Sequence, residues 1–339
     1  MNFPRPAGLN NTEQMPRVEA LMVRLSGDGD AAGAMVRSHL ATGGKRLRAR
    51  LALAALDVLG VGRERGIGWA AACELLHNAT LVHDDLQDGD RTRRGHPTVW
   101  AQHGEAQAVN VGDLLLMLPF LALEHAETSP AVRWLLARAL AEHAAAVARG
   151  QVEELQLADA NQVGWQGYRR AVAGKTSALF ELPVEGAALL AGRSERDAHD
   201  LAEAFCHLGV LFQLQDDVLD LYGDKGRERP GSDLREGKIS ALVVEHLALH
   251  PGDSGWLRQL LAAARDATPD HEVDAAITRF REGGALAAVL RRIEQEAEAA
   301  LGCSGLPQEP GMRDLAAELV EVTLAPIAHL CPAGPNSHG

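Results

Sequence analysis

HNATLVHDDLQD, residues 77–88, is the stretch on which the reading of this chain turns. It closes an apolar segment, 66–88, whose hydrophobic residues recur at spacings of three and four, the period of a helix rather than a strand. On a helix, residues four apart share a face, so Asp84 and Asp88 of the pentad Asp84-Asp85-Leu86-Gln87-Asp88 point the same way. Like charges at that spacing cost a helix a few tenths of a kcal/mol, roughly, and a hard divalent cation would convert the repulsion into ligation. A solvated acidic helix end is the alternative reading of this pentad alone.

The pattern occurs a second time. Asp216-Asp217-Val218-Leu219-Asp220 continues a strongly apolar helical stretch, GVLFQLQDDVLDLY, with Gly209, Gln213, Asp216 and Asp220 on or near one line. Acids beside such a stripe are costly unless paired, hydrogen-bonded or metal-bound. Two pentads of this kind are far less compatible with a solvated face than one.

Working outward, helical periodicity also covers 47–60, 105–126, 129–158, 166–191 and 198–222, and no alternating strand or fixed repeat stands out. Short breaks rich in Gly, Pro and charge separate these segments at 42–45, 89–97, 159–165, 192–196 and 223–238. None resembles a flexible linker. The expectation is an all-α helical bundle forming one domain over 16–332, with poorly ordered ends at 1–15 and 333–339. Aromatic residues make up only 4% against 46% hydrophobic residues, a composition suited to closely packed helices.

A net charge of −13 excludes a large nucleic-acid partner and disfavours an anionic membrane surface. The longest uninterrupted apolar run, Leu114–Leu123, contains Pro119 and is too short for a membrane span. Cys73, Cys206, Cys303 and Cys331 are widely spaced and form no metal-type pair, as expected of reduced thiols. With no signal-like core at the start of the sequence, the expected location is the cytosol.

Cations cluster where an anion could be held. In Gly43-Gly44-Lys45-Arg46-Leu47-Arg48 a glycine pair precedes a helix start, where free N–H groups and the helix dipole favour a phosphate. Arg91, Arg93 and Arg94 follow the first pentad, Lys175-Thr176 lies inside a helical segment, and Lys225, Arg229 and Lys238 occupy the long loop. An exposed basic loop, charge matching to a helix dipole, and a surface lysine are the respective plain alternatives. His77, seven residues before Asp84, faces the same side as the acids. Asp113, with no partner visible in the sequence, reads as a structural cap or hydrogen-bonding residue.

Taken in order, GGKRLR, the His77 segment, DDLQD, RTRRG, GKTSALFE, FQLQDDVLD and GSDLREGK resemble the trans-isoprenyl diphosphate synthases, the polyprenyl synthetase family, over roughly 43–240. The resemblance implies the isoprenoid synthase type I fold, with a deep apolar cavity, the two pentads facing each other at its mouth, and a homodimer. It implies Mg²⁺, for which Mn²⁺ can substitute, held chiefly by Asp84, Asp88 and Asp216 with Asp85, Asp217 and Asp220 in support. Lys45, Arg48, His77 and Arg94 match residues that hold isopentenyl diphosphate. Arg93, Lys175, Thr176, Gln213 and Lys238 match those facing the allylic diphosphate, and Lys175, Thr176 and Gln213 would steady the allylic cation. The sequence departs from the pattern at Ala49, where proline is common, at Arg229-Pro230, where Lys-Pro is common, and in a tail without a basic end.

Two rivals share the scaffold. A terpene cyclase would need the pentads but no second diphosphate site, and a silent subunit of a heteromeric synthase would have lost a pentad; Lys45, Arg48, His77, Arg94 and both pentads are present. Product length is read along the helix before Asp84. Ala79 and Thr80 are small where an aromatic floor would stop growth at fifteen carbons; Leu76 and then Cys73 follow one turn deeper each, about 5.4 Å per turn. The expectation is a product of about C20, or longer if Leu76 gives way.

Overall fold

The computed structural model describes residues 8–9, 13–159, 163–223, 230–263 and 268–330, without the side chains of 158 and 159. Among these, the chain is helical nearly throughout: α1 Met15–Leu25, α2 Ala31–Ala41, α3 Leu47–Val58, α4 Ile67–Gln87, α5 Val99–His103, α6 Glu105–Ala122, α7 Pro130–Asp159 and α8 Trp165–Val172. There follow α9 Ala178–Leu190, α10 Glu195–Tyr222, α11 Ser232–Arg235, α12 Ala241–Leu249, α13 Ser254–Leu261, α14 Asp270–Glu282, α15 Ala285–Gly302 and α16 Pro310–Leu324. The expected unstructured start at 1–15 falls partly outside the described residues; within them Leu9 is buried, its carbonyl accepting from Arg50 Nε at 2.7 Å, and Met15 opens α1. The tail at 333–339, Cys331, Lys225 and Arg229 lie outside the described residues.

The chain divides into two compact units. The first comprises Met1–Val147, Ala178–Phe205 and Cys303–Ala316. Its centre is α4, packed chiefly on α6 and α3. Small residues permit that approach: a Cβ on Gly68 would meet the Ala122 carbonyl oxygen at 2.5 Å. Trp69 is wholly buried against Gly186 of α9, and its indole N–H donates to the Pro183 carbonyl at 3.0 Å, giving the large ring both packing and a polar partner.

Helix α6 with the turn that follows it, Glu105–His125, is by length and composition alone long and apolar enough to cross a membrane. The core helix of a folded unit passes the same test, and 44% of its apolar 18-residue window is buried here. Its outer face leaves Val109, Met117, Phe120 and Leu121 exposed, with Trp134 of α7 exposed as well.

The second unit comprises Ala148–Ser177, Cys206–Gly302 and Ala317–Gly339. Its core gathers Val210, Leu211, Leu214 and Val218 of α10 with Phe280, Val289 and Ile293 from later helices. The stretch expected as one helix at 166–191 is α8, a π-helical turn at Ala173–Ser177, and α9. Glycines crowd this turn: a Cβ on Gly150 would meet Lys175 N at 2.2 Å, and one on Gly209 would meet Ser177 Cα at 2.4 Å. The backbones of α7 and α10 thus press directly on the wide turn, a local irregularity often found at functional sites.

Candidate active site

Exposure along α4 follows the helical period. His77, Thr80, Leu81, Asp84 and Asp88 are each partly exposed, whereas Cys73, Leu76, Ala79 and Asp85 are buried. The first pentad therefore splits, with Asp84 and Asp88 on the open face and Asp85 turned inward. Asp85 receives Arg93 Nε at 2.7 Å and Nη2 at 2.6 Å. Burial raises its pKa, and the guanidinium opposes that rise. Of the four residues expected to set product length, only Thr80 lies on the open strip; its hydroxyl donates to the His77 carbonyl at 2.8 Å. Asp113 stands 3.6 Å from His83 Nε2, and Gly112 leaves room for that ring.

The break after α4 contains a feature too short for an alternating pattern to reveal. Thr92–Arg93 pairs antiparallel with His96–Pro97. Arg94 at φ 53 and Gly95 at φ 79 make the two-residue turn, as a tight hairpin requires. Arg46, at φ 50 before α3, is the other non-glycine residue held in the left-handed region among the described residues. Both arginines grip the same segment: Arg46 Nη2 donates to the Leu40 carbonyl at 2.7 Å, and Arg94 donates to the Gly43 carbonyl. Strained backbone at two adjoining cations is a mark of a binding site.

Behind them lies Glu74, buried and unnoticed in the sequence. It accepts from the Ala49 backbone N–H at 3.2 Å and sits 3.9 Å from Arg46 Nη1, with burial raising its pKa and Arg46 opposing. Proline at 49 has no such N–H, so this departure from the common pattern goes with a hydrogen bond made here. Arg48 is buried with its guanidinium 4.6 Å from the Phe180 ring centroid, and desolvation brings its pKa down to about 10. Lys45 is exposed. His77 has a buried Nδ1 without a hydrogen-bond partner, and burial followed by the charges of Arg48, Arg93 and Arg94 holds the imidazole well below its usual pKa of 6.5.

The second pentad also splits, but here the fifth acid turns inward with the second. Asp216 is partly exposed, beside Phe212 and Gln213 on α10, while Asp217 and Asp220 face inward. Asp217 receives Tyr168 Oη at 2.7 Å, the Ala241 N–H at 2.6 Å and Gln213 Nε2 at 2.9 Å; burial outweighs these and raises its pKa to about 6. Asp220 receives the Ser232 hydroxyl and the Asp233 N–H, the latter at 3.1 Å. Thr176 donates to Gln213 Oε1 at 3.1 Å, which fixes the amide orientation and links the π turn to Asp217. Lys175 is paired with Glu154 of α7, and Lys238 with Glu236 at 2.9 Å. Glu154 and Tyr168 lie in no motif that singled them out, and Ser232 lies in the GSDLREGK segment without a role assigned to it there.

The donors on the open faces are carboxylate oxygens, the ligands that Mg²⁺ and Mn²⁺ prefer, and the inward acids already have protein donors. The residues present therefore fit such an ion.

A family model described as polyprenyl synthetase matches residues 31–279. A geranylgeranyl diphosphate synthase of Sulfolobus acidocaldarius is 37% identical over 220 residues, 62% of this chain and 66% of the relative's length. A (2E,6E)-farnesyl diphosphate synthase of Mycobacterium tuberculosis is 35% identical over 295 residues, 82% of this chain and 79% of the relative. A crystal structure of polyprenyl synthase from Caulobacter crescentus, described as complexed with calcium and isoprenyl diphosphate, superposes with a TM-score of 0.82 at 28% identity, covering 95% of this chain and 99% of that one. The all-α fold is that of these synthases.

Proposed function

The chain belongs to the polyprenyl synthetase family, and from that premise we propose that it is a magnesium-dependent prenyltransferase, with 16–332 serving as one catalytic domain. It would condense isopentenyl diphosphate with an allylic diphosphate, head to tail, giving a trans-prenyl diphosphate and pyrophosphate. The observation that carries this reading is that each pentad keeps carboxylates on an open face, Asp84 and Asp88 in the first and Asp216 in the second, while Asp85, Asp217 and Asp220 turn inward and are hydrogen-bonded. The calcium and isoprenyl diphosphate named for the Caulobacter protein support the ligand class.

Asp84, Asp88 and Asp216 would hold Mg²⁺, which supplies charge neutralisation of the allylic pyrophosphate. Lys45, Arg48, His77 and Arg94 bind the isopentenyl diphosphate, while Arg93 and Lys238 serve the allylic one. Lys175 faces the allylic diphosphate once released from Glu154. As the allylic C1–O bond breaks, its electrons leave with pyrophosphate. The isopentenyl double bond then forms the new C–C bond at C1, and the proton lost from the former C2 passes to the departing pyrophosphate. Thr176 and Gln213, tied to Asp217, present fixed oxygen dipoles towards the cation.

We place the product at about C20, from the small side chains at Ala79 and Thr80; relatives named for both farnesyl and geranylgeranyl products leave that length to experiment. The exposed Val109, Met117, Phe120 and Leu121 on α6 support a homodimer, and the absence of a disulfide at Cys73, Cys206 and Cys303, among the described residues, suits the cytosol. The deciding experiment supplies radiolabelled isopentenyl diphosphate with separate allylic starters and measures product length. Cyclic hydrocarbons formed from an allylic diphosphate alone would replace this reading with a cyclase.

A further inference from the structure

His39 sits on the last turn of α2, immediately before the Gly43-Gly44-Lys45 loop. It is only 6% exposed, and its Nε2 is buried without a hydrogen-bond partner. An unmatched imidazole nitrogen in such a place costs free energy unless another state of the protein uses it. The ring borders a cavity of about 320 Å³ with Ser38, Thr42, His96, Gln102 and His103. Two carbonyls within the four residues that follow it, those of Leu40 and Gly43, are gripped by Arg46 and Arg94.

We infer that His39 is a second imidazole of the isopentenyl diphosphate pocket, sharing it with His77 and taking up a proton when the diphosphate enters. The inference rests on the proposed function and deepens it. The charged and titratable groups around His39 come from several elements: Arg93 and Arg94 on the hairpin, Arg46 before α3, and Asn78 and His77 on α4, with His96 and His103 across the cavity. Without ligand, burial first, then Arg93, Arg94 and Arg46, hold His39 neutral at a pKa of about 4, opposed by a hydrogen bond with Asn78. His77 is kept neutral first by burial and then by Arg48 and the same arginine pair.

An anion among these arginines reverses the balance. At an effective dielectric near 20, one negative charge at about 4 Å favours the imidazolium by about three pH units, and a diphosphate brings at least two charges. The protonated ring then makes a charge-assisted bond, stronger than a neutral one. No sequence motif marks His39, because it lies outside the GGKRLR segment and on a helix whose other buried residues, Gly33, Met35, Val36 and Leu40, are ordinary core.

The test uses the full chain with Mg²⁺ and follows the Michaelis constant for isopentenyl diphosphate from pH 6 to 8. His39→Gln is expected to raise that constant about tenfold at pH 7, as loss of a charge-assisted bond does, and to flatten its pH dependence, with the allylic constant and kcat within about twofold. An unchanged constant and profile in folded His39→Gln overturns the inference. Should His39→Gln not fold, histidine ¹⁵N spectra of His77→Gln decide: isopentenyl diphosphate is expected to convert one buried neutral imidazole to the cation, and no conversion overturns it. Wild-type protein that does not turn over isopentenyl diphosphate at all strikes the proposed function itself, which keeps the two failures apart.

Discussion

Replacing His39 by glutamine is expected to change how stability depends on pH, in a direction that the buried ring fixes. The folded imidazole has a pKa of about 4, against 6.5 for an unperturbed histidine. Between these values the unfolded chain binds the proton and the folded chain does not, so stability falls as pH drops from about 6.5 to about 4. At about 1.4 kcal/mol per pH unit, the loss attributable to His39 reaches about 3 kcal/mol. The raw curve of the wild-type protein does not display it, because Asp217 works in the opposite sense. Its folded pKa of about 6 lies above the ordinary 3.8, so the folded chain gains that proton first and is stabilised over nearly the same interval. The difference between wild type and His39→Gln removes the Asp217 contribution. The assay is urea unfolding in chelator at half-unit steps from pH 4 to 7.5, read by tryptophan fluorescence and circular dichroism together. The stability of His39→Gln relative to wild type is expected to rise by about 3 kcal/mol from pH 7 to pH 4. A difference that stays flat across that range would refute the reasoning, since it would mean that His39 titrates alike in the folded and unfolded chains.

Asp84→Ala and Asp216→Ala should each lower turnover by at least about a hundredfold, and full activity in chelator would sink the metal role. Lys45→Gln and Arg94→Gln are expected to raise the Michaelis constant for isopentenyl diphosphate more than that for the allylic partner; equal effects in steady-state kinetics would remove them from the isopentenyl site. Ala79→Phe and Thr80→Phe should shift the product toward C15 and Leu76→Ala should lengthen it, by chromatography of the dephosphorylated products. Because Ala79 is fully buried, the first variant also carries an overpacking cost of about 1–3 kcal/mol and is best assayed at reduced temperature. An unchanged length distribution would show that α4 is not the ruler.

What the sequence disclosed and what it concealed divide along a physical line. Spacings of three and four place a residue on a helix face, and that alone identifies Asp84 with Asp88, the His77 side of α4, and the apolar stripe of α10. The same periodicity cannot say which of two adjacent acids looks outward. Asp216 and Asp217 are neighbours of identical type, and only packing decides that one is partly exposed while the other takes three hydrogen bonds from Tyr168, Gln213 and Ala241. Partners of this sort lie 49, 4 and 24 residues away in the chain, and of the three only the Gln213 contact is local enough to be read from a helical wheel. Irregular backbone was concealed for another reason. The π turn around Lys175 depends on Gly150 and Gly209 allowing two other helices to come close, while Gly174 inside the stretch looks like any tolerated helical glycine. The hairpin at 92–97 has two residues per strand, fewer than an alternation needs to be seen, so its arginines read as a helix end. Glu74 and His39 were hardest, since a buried charge and a buried imidazole gain their meaning from the arginines that surround them. Those arginines were legible as a cluster suited to an anion; a cluster that strong, with Arg48 buried and Arg46 and Arg93 half-buried, needs both a countercharge and groups that stay neutral until the anion arrives. Glu74 supplies the countercharge, and His39 and His77 supply the neutral groups.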